Sequence, residues 1–247
     1  MSEKRSLVER PAVSIEIVRD ESASMRSNEG FVRVRRLVLR NRYADGSTSR
    51  EYRYDCAERD AIDAVGIVLV SRDGRVCLRS SIRPPIALRP TYSLPIADES
   101  ADPTLFEVPA GLVEVDEKGE DGLRSCCARE TLEEVGLEVA PSAFVRLGPA
   151  VYLTPGVIAE KVHLFVAECD PEGATVPQMD GSPVEERANI EWVPVAEALA
   201  ACRDGRIGDV KTEVAIRRLA DHRGNDDRGA AGARKGAEPP WDTEGTR

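Results

Sequence analysis

Histidine is almost missing from this chain: His163 and His222 are the only two among 247 residues. His163 falls inside a strand-like stretch and His222 near the polar C-terminal end, so neither suits the part of a catalytic base. The six cysteines, Cys56, Cys77, Cys126, Cys127, Cys169 and Cys202, include no C-x-x-C pair and have no His cluster near them. That argues against a zinc site. Cys126 and Cys127 stand side by side in a helical stretch and read as small buried residues. Long apolar runs are missing too. None reaches the length of a membrane span, and the opening MSEKRSLVERPAVSIEIVRDE has no apolar stretch of the signal-peptide kind. No membrane partner and a cytoplasmic location are therefore expected. Positive charge is also short: 34 Lys and Arg against 44 Asp and Glu leave −10, spread along the chain. A net acidic surface repels a phosphate backbone, so no nucleic-acid partner is expected. A small phosphate ligand stays compatible, because a bound divalent cation inverts the local field.

What is present divides the chain. At this length there is room for one large domain plus a small accessory element. Residues 1–27 read as a flexible lead-in in which 13–18 can make a short strand. Residues 28–60 hold accessory strands: FVRVRRLVLRNRY alternates apolar and basic side chains, Asp45-Gly46-Ser47 turns the chain, and SREYRYD returns. Residues 61–220 form the main domain. There AVGIVLV, 64–70, is an apolar run of central-strand type, and RVCLRSSIR is its partner across Arg72-Asp73-Gly74. The proline-rich stretch 84–104 reads as a long functional loop. The clearest helix is 123–135, with Gly136 closing it. Strands are expected at 144–151, 161–168 and 189–194. Helices are expected at 195–202 and 209–219, the second with Val210, Val214 and Leu219 facing inward. Residues 221–247 are rich in Gly, Arg and Asp and are expected to be disordered. Strands interleaved with a few helices imply an α/β (α+β) sandwich, not a regular parallel fold.

The chemistry concentrates at 109–137. Glu130, Glu133 and Glu134 stand at i, i+3 and i+4, so three carboxylates project from one helix face and repel one another. A hard cation such as Mg²⁺ compensates that repulsion; a solvated acidic face is the plainer alternative. Upstream, Pro109-Ala110-Gly111 is a tight turn after a strand. Its glycine allows close backbone approach and exposes carbonyls able to ligate metal. Arg129 can hold a neighbouring carboxylate through a bidentate pair.

Together these residues resemble the Nudix box, G-x5-E-x7-R-E-U-x-E-E-x-G-U, in which U is a bulky aliphatic residue. Gly111, Arg129, Glu130, Glu133, Glu134, Gly136 and Leu137 match, while Thr131 takes a usually aliphatic place. Arg129 lies 18 positions beyond Gly111 where the pattern has 14, so VDEKGEDG carries four extra residues. The insertion is expected in the loop, and the first glutamate of the pattern is open among Glu117, Glu120 and Asp121. The resemblance implies a Nudix α/β/α sandwich with a mixed sheet and an N-terminal accessory hairpin. It also implies Mg²⁺-dependent hydrolysis, with Mn²⁺ as substitute, of a nucleoside diphosphate linked to another group. By motif position Glu130, Glu134 and the Ala110 carbonyl would be metal ligands, and Glu133 a further ligand or support. The metal would neutralise the pyrophosphate and generate hydroxide.

Beyond the box, residues 30–220 are similar to the ADP-ribose pyrophosphatase group. In that group the extra N-terminal strands make a dimer, so a homodimer is implied. Thr154-Pro155-Gly156, followed by Glu160-Lys161-Val162-His163, and the stretch 205–212 carry the same likeness. Arg83 aligns with an arginine held near substrate, where a guanidinium suits phosphate or a base; an ordinary surface arginine is the alternative. Glu160 is implied to contact substrate. Lys211, near a helix start, reads as solvated. The group's general base is a glutamate on a loop beyond the box; Glu185 and Glu186 both fit. The leading expectation is cleavage of ADP-ribose to AMP and ribose 5-phosphate. A UDP-sugar or GDP-sugar pyrophosphatase is the near alternative, and a non-catalytic module that binds nucleotide sugars is the distant one. The presence of all three glutamates favours catalysis. A DNA-binding regulator lacks any helix-turn-helix or basic helix. Aromatic residues make up 4% of the chain, and Tyr92, Phe106 and Tyr152 are the candidates for stacking on a base.

Overall fold

A computed structural model describes residues 30–98, 102–178, 182–184 and 188–231, with side chains through Arg223. The accessory strands form as a separate antiparallel pair, β1 (Arg33–Leu39) and β2 (Tyr52–Glu58). The candidate strand at 13–18 lies outside the described residues. The apolar run becomes β3 (Ala64–Ser71), buried along its whole length, and its partner becomes β4 (Arg75–Ile82).

The proline-rich stretch is not a plain loop. It begins with a short helix, α1 (Pro84–Ala87), and a 3₁₀ turn at Arg89–Thr91. Pro84 at the first helical position explains the start, since its missing N–H would be unsatisfied there anyway. The chain then enters β5 (Thr104–Glu107), the short β6 (Ala110–Leu112) and α2 (Gly119–Val135). The strand expected at 144–151 is broken into β7 (Val145–Arg146) and β8 (Val151–Tyr152). Both pair antiparallel with β9 (Lys161–Cys169). After β10 (Asn189–Pro194) come α3 (Val195–Asp204) and α4 (Val210–Ala231). α4 therefore continues past Leu219, where the helix was expected to end, into the stretch expected to be disordered from Asp221. No helix among the described residues is long and apolar enough to cross a membrane.

The main sheet has eight strands on the path β10-β4-β3-β9-β7, with β5 on β4, β6 on β3 and β8 on β9. It is mixed, because β3 and β9 run parallel from Ala64↔Val162 to Ser71↔Cys169. Helices cover both faces. Val65, Ile67, Leu69 and Phe165 pack against Leu123, Cys126, Cys127 and Val135 of α2. Val68, Val70, Leu78 and Leu164 pack against Ala198, Ala201, Ile216 and Leu219 of α3 and α4. This double cover is why the β3 sequence is continuously apolar instead of alternating. On α4, Leu219 and Val214 turn inward as expected, but Val210 is exposed, and Thr212, Ala215 and Ile216 complete the buried side.

The sheet opens at one place. β3 and β4 pair at Val70↔Val76 and then diverge, β3 taking β6 at Ala64–Gly66 and β4 taking β5 at Arg79–Ile82. Val108 and Pro109 join β5 to β6 across that wedge, and the Pro109 carbonyl accepts the Ile67 N–H at 2.8 Å.

Candidate active site

Helix α2 carries its carboxylates on the buried side. Its buried residues are Leu123, Cys126, Cys127, Glu130, Thr131, Glu134 and Val135, together with Gly122. The apolar stripe thus becomes carboxylate in the last turns without changing face. Glu130 is 9% and Glu134 4% exposed, which rules out the solvated acidic face. The helix ends at Gly136, whose φ of 73° lets its N–H reach Leu132 O at 3.0 Å.

The turn opposite is shaped to receive them. A Cβ on Gly111 would lie 1.8 Å from Glu130 Cδ, so no other residue fits without displacing that carboxylate. The Ala110 N–H donates to Glu134 Oε2 at 2.9 Å. Arg129 binds loop and helix together. Its guanidinium donates to Glu117 through Nε and Nη2 at 3.2 Å, to the Leu112 carbonyl at 3.1 Å, to Glu130 at 2.8 Å and to Glu133 at 3.2 Å. Burial raises the Glu117 pKa, but the Arg129 hydrogen bonds outweigh it and hold the carboxyl below its ordinary value.

Of the three acids open for the first glutamate of the box, Glu117 is the one that meets Arg129. Glu120 pairs with Arg146 at 2.5 Å and Asp121 is exposed. α2 begins at Gly119, inside the stretch expected to be loop.

Glu114, Arg129, Glu130, Glu133 and Glu134, with Ala61 and Ala110 to Leu112, line a cavity of 490 Å³. Arg79 approaches from β4 and pairs with Glu134, both side chains 5% exposed. The other candidates are placed differently. Arg83 donates through Nε to Glu107 at 2.6 Å, and its side chain is 40% exposed. Glu160 is not in the cavity lining; it pairs with Arg59, which also donates to the Ala61 carbonyl at 2.7 Å. Glu185 and Glu186 lie outside the described residues. Lys211 is not solvated: it is 8% exposed and donates to Glu107 and Asp209, each at 2.9 Å. Phe106 is core at 2% exposure and cannot stack on a base, while Tyr92 and Tyr152 are exposed.

A larger groove of 790 Å³ lies on the accessory hairpin, lined by Arg36, Leu37, Val38, Arg53, Tyr54, Asp55 and Gly156. No carboxylate cluster faces it, so size does not mark the reactive centre.

Comparison with known proteins agrees with this geometry. The NUDIX domain family matches residues 61–212. The chain belongs to the NUDIX domain family. Curated relatives include a GDP-mannose pyrophosphatase of Cronobacter sakazakii, 33% identical over 118 residues, or 48% of this chain and 56% of that one. Another GDP-mannose pyrophosphatase, from Yersinia enterocolitica, is 33% identical over 147 residues, or 59% and 67% of the two chains. Several of these relatives are matched over little more than half their length. A solved structure titled as an ADP compounds hydrolase superposes with a TM-score of 0.58 at 16% identity, covering 83% of this chain and 91% of the other. It supports the fold.

The NUDIX domain contains every described candidate from Arg83 to Glu160. As its side chains stand, no three His, Cys, Asp or Glu among the described residues converge to hold a metal. Glu134 faces Arg79, and Glu130 and Glu133 face Arg129. The donor chemistry nonetheless fits a hard cation. Four carboxylates and one guanidinium line the cavity, and Gly111 leaves space beside Glu130 that a side chain would fill. Sequence reasoning missed Arg79. A charged residue in the middle of an otherwise core-forming strand was the available signal, since a buried guanidinium demands a carboxylate partner.

Proposed function

We propose that this NUDIX protein hydrolyses the pyrophosphate bond of a nucleoside diphosphate sugar with Mg²⁺, Mn²⁺ serving as substitute. GDP-mannose is the first candidate, because the curated relatives carry that name; ADP-ribose is the second. The observation that carries the reading is the burial of Glu130 and Glu134 on the inner stripe of α2, against a turn that has room only for glycine. So acidic a cavity repels a pyrophosphate unless a cation lies between them.

In the reaction a water oxygen bonds to one phosphorus and the bridging oxygen leaves with the other. The products are a nucleoside monophosphate and a sugar phosphate. A bound divalent cation supplies charge neutralisation and an acidified water. Glu130, Glu134 and the Ala110 carbonyl are assigned to hold it, with Glu133 in support. Arg129 fixes the direction of Glu130 and Glu133 from the cavity wall they share. Arg83, anchored by Glu107, offers its remaining N–H groups to phosphate. Glu160 supports the cavity wall through Arg59 and the Ala61 carbonyl. The proton leaving water is assigned to Glu185 or Glu186. The hairpin, with Val34 and Val38 exposed on one face at 40% and 65%, is assigned to a homodimer contact.

The test is phosphate release from GDP-mannose, ADP-ribose and UDP-glucose with Mg²⁺ and a coupled phosphatase. The expected result is turnover by the wild type and loss of about a hundredfold or more in Glu134→Gln, the scale of metal-site substitutions. Equal background rates in both proteins on all three substrates would overturn the proposal.

A further inference from the structure

We infer that Thr212, oriented by Asp209 and Lys211 at the start of α4, is a positioning residue for the turn at 107–111 that faces Glu130 and Glu134. The inference rests on the pyrophosphatase reading for its kinetic consequence, though not for its geometry.

The turn is held residue by residue. Glu107 accepts from Lys211 Nζ at 2.9 Å and from Arg83 Nε at 2.6 Å. The Val108 N–H donates to Thr212 Oγ1 at 2.9 Å. The Pro109 carbonyl accepts from Ile67, and the Ala110 N–H donates to Glu134. Of these ties, the one at Val108 has no substitute in the sheet. β5 ends at Glu107 and β6 begins at Ala110, so the Val108 amide lies between the two ladders. Val108 is 1% exposed. Without the hydroxyl, a buried backbone donor would be left unsatisfied.

Thr212 is itself held in one orientation. It is fully buried, and its hydroxyl proton goes to Asp209 Oδ2 at 2.6 Å, which turns its lone pairs toward Val108. The same Asp209 oxygen caps α4 by accepting the Thr212 N–H at 2.9 Å, and Lys211 Nζ also reaches it at 2.9 Å. Burial alone would raise the Asp209 pKa, but Lys211 and the Thr212 hydrogen bonds keep it below its ordinary value. Two carboxylates, Glu107 and Asp209, thus face two cations, Lys211 and Arg83, and the cluster is balanced in charge. Lys211 gets there by passing over Gly66, where an added Cβ would come within 3.7 Å of Lys211 Cδ. A simple helix cap would need none of the contacts to Glu107 and Val108.

Amide hydrogen exchange and steady-state kinetics on the full chain test the assignment. In the wild type the Val108 amide is expected among the slowly exchanging group; exchange as fast as an exposed loop amide would overturn the inference without any variant. In Thr212→Val, which keeps shape and removes the hydroxyl, Val108 exchange and kcat are each expected to change by about tenfold, the size of one buried hydrogen bond. Exchange rises, kcat falls, and KM for GDP-mannose stays unchanged. Thr212→Ser recovers both. A valine variant with a lowered Tm but wild-type kcat and wild-type exchange at Val108 reduces Thr212 to a helix cap and refutes the role. Absence of turnover in the wild type would refute the pyrophosphatase reading alone, because the exchange comparison still decides the positioning.

Discussion

Glu134 is held by groups of different kind, among them the Arg79 guanidinium and the Ala110 N–H. The ion pair with Arg79 is buried, both of its side chains 5% exposed. Removing one member of a buried ion pair costs about 3–5 kcal/mol. Arg79→Met is therefore expected to lower stability by that order in metal-free protein. The proposed cation site shares the same carboxylate, so Mg²⁺ should recover part of the loss by binding only the folded state. Calorimetry with Mg²⁺ and with a chelator checks this. The Mg²⁺-induced rise in Tm should be larger in Arg79→Met than in the wild type. Equal rises would mean that the cation and Arg79 do not share Glu134. None of this could be read from residue type alone, because Arg79 and Glu134 are 55 positions apart. Lys211 shows the same limit. Its partner Glu107 is 104 positions away, and without that partner a lysine near a helix start is rightly read as solvated.

Elements divide into those whose cause is local and those whose cause is not. β1 and the end of α2 were legible because alternation and a glycine at positive φ act within a few residues. The start of α2 was not. Gly119 and Gly122 read as loop residues, yet Gly122 sits inside the helix for a packing reason: a Cβ there would fall 2.2 Å from the Glu117 carbonyl carbon. β9 shows how neighbouring elements set a titration. His163 faces Asp63 ahead of β3 at 3.5 Å and Arg146 of β7 at 3.3 Å, and Arg146 continues to Glu120 of α2. Arginine only donates, so Nδ1 is the acceptor and Nε2 carries the proton toward Asp63. Burial, helped by Arg146 and Lys161 and opposed by Asp63, holds the imidazole below its ordinary 6.5. The sign follows from proton counting. Below 6.5 the unfolded chain takes up a proton before the folded one does, so His163 costs stability as pH falls from that value. The contribution is neutral above it. Chemical denaturation across this range should show stability falling with pH in the wild type and a shallower fall in His163→Gln. Parallel curves would remove His163 as the cause.

At the scale of the whole molecule, the sandwich accounts for every described strand except two. β1 and β2 form a two-stranded sheet of their own, and such a hairpin is marginal in water without further cover. Its ties to the main domain are few. Ala57 N–H donates to Val157 O at 2.8 Å, Tyr54 Oη to Gly156 O at 2.8 Å, and Arg59 pairs with Glu160. Meanwhile Phe31, Val34, Val38, Tyr52 and Tyr54 are exposed at 71, 40, 65, 36 and 40%. The register puts Val34 and Val38 on one face of the hairpin and Tyr52 and Tyr54 on the other, and the pairing proposed above would cover the Val34–Val38 face with a second copy. Val38→Glu is the sharp probe. Position 38 stands opposite Arg53 in the register, so the hairpin can hold a glutamate there as a cross-strand pair and stay folded. In a closed dimer, by contrast, the new charge would be buried at the contact and disfavour association. Light scattering is expected to give the wild type twice the mass of one chain and the variant a single mass, with matching circular dichroism. A wild type of single mass, or a variant still dimeric, would show that the hairpin stands without that cover, leaving its contacts to the turn at Gly156 to hold it.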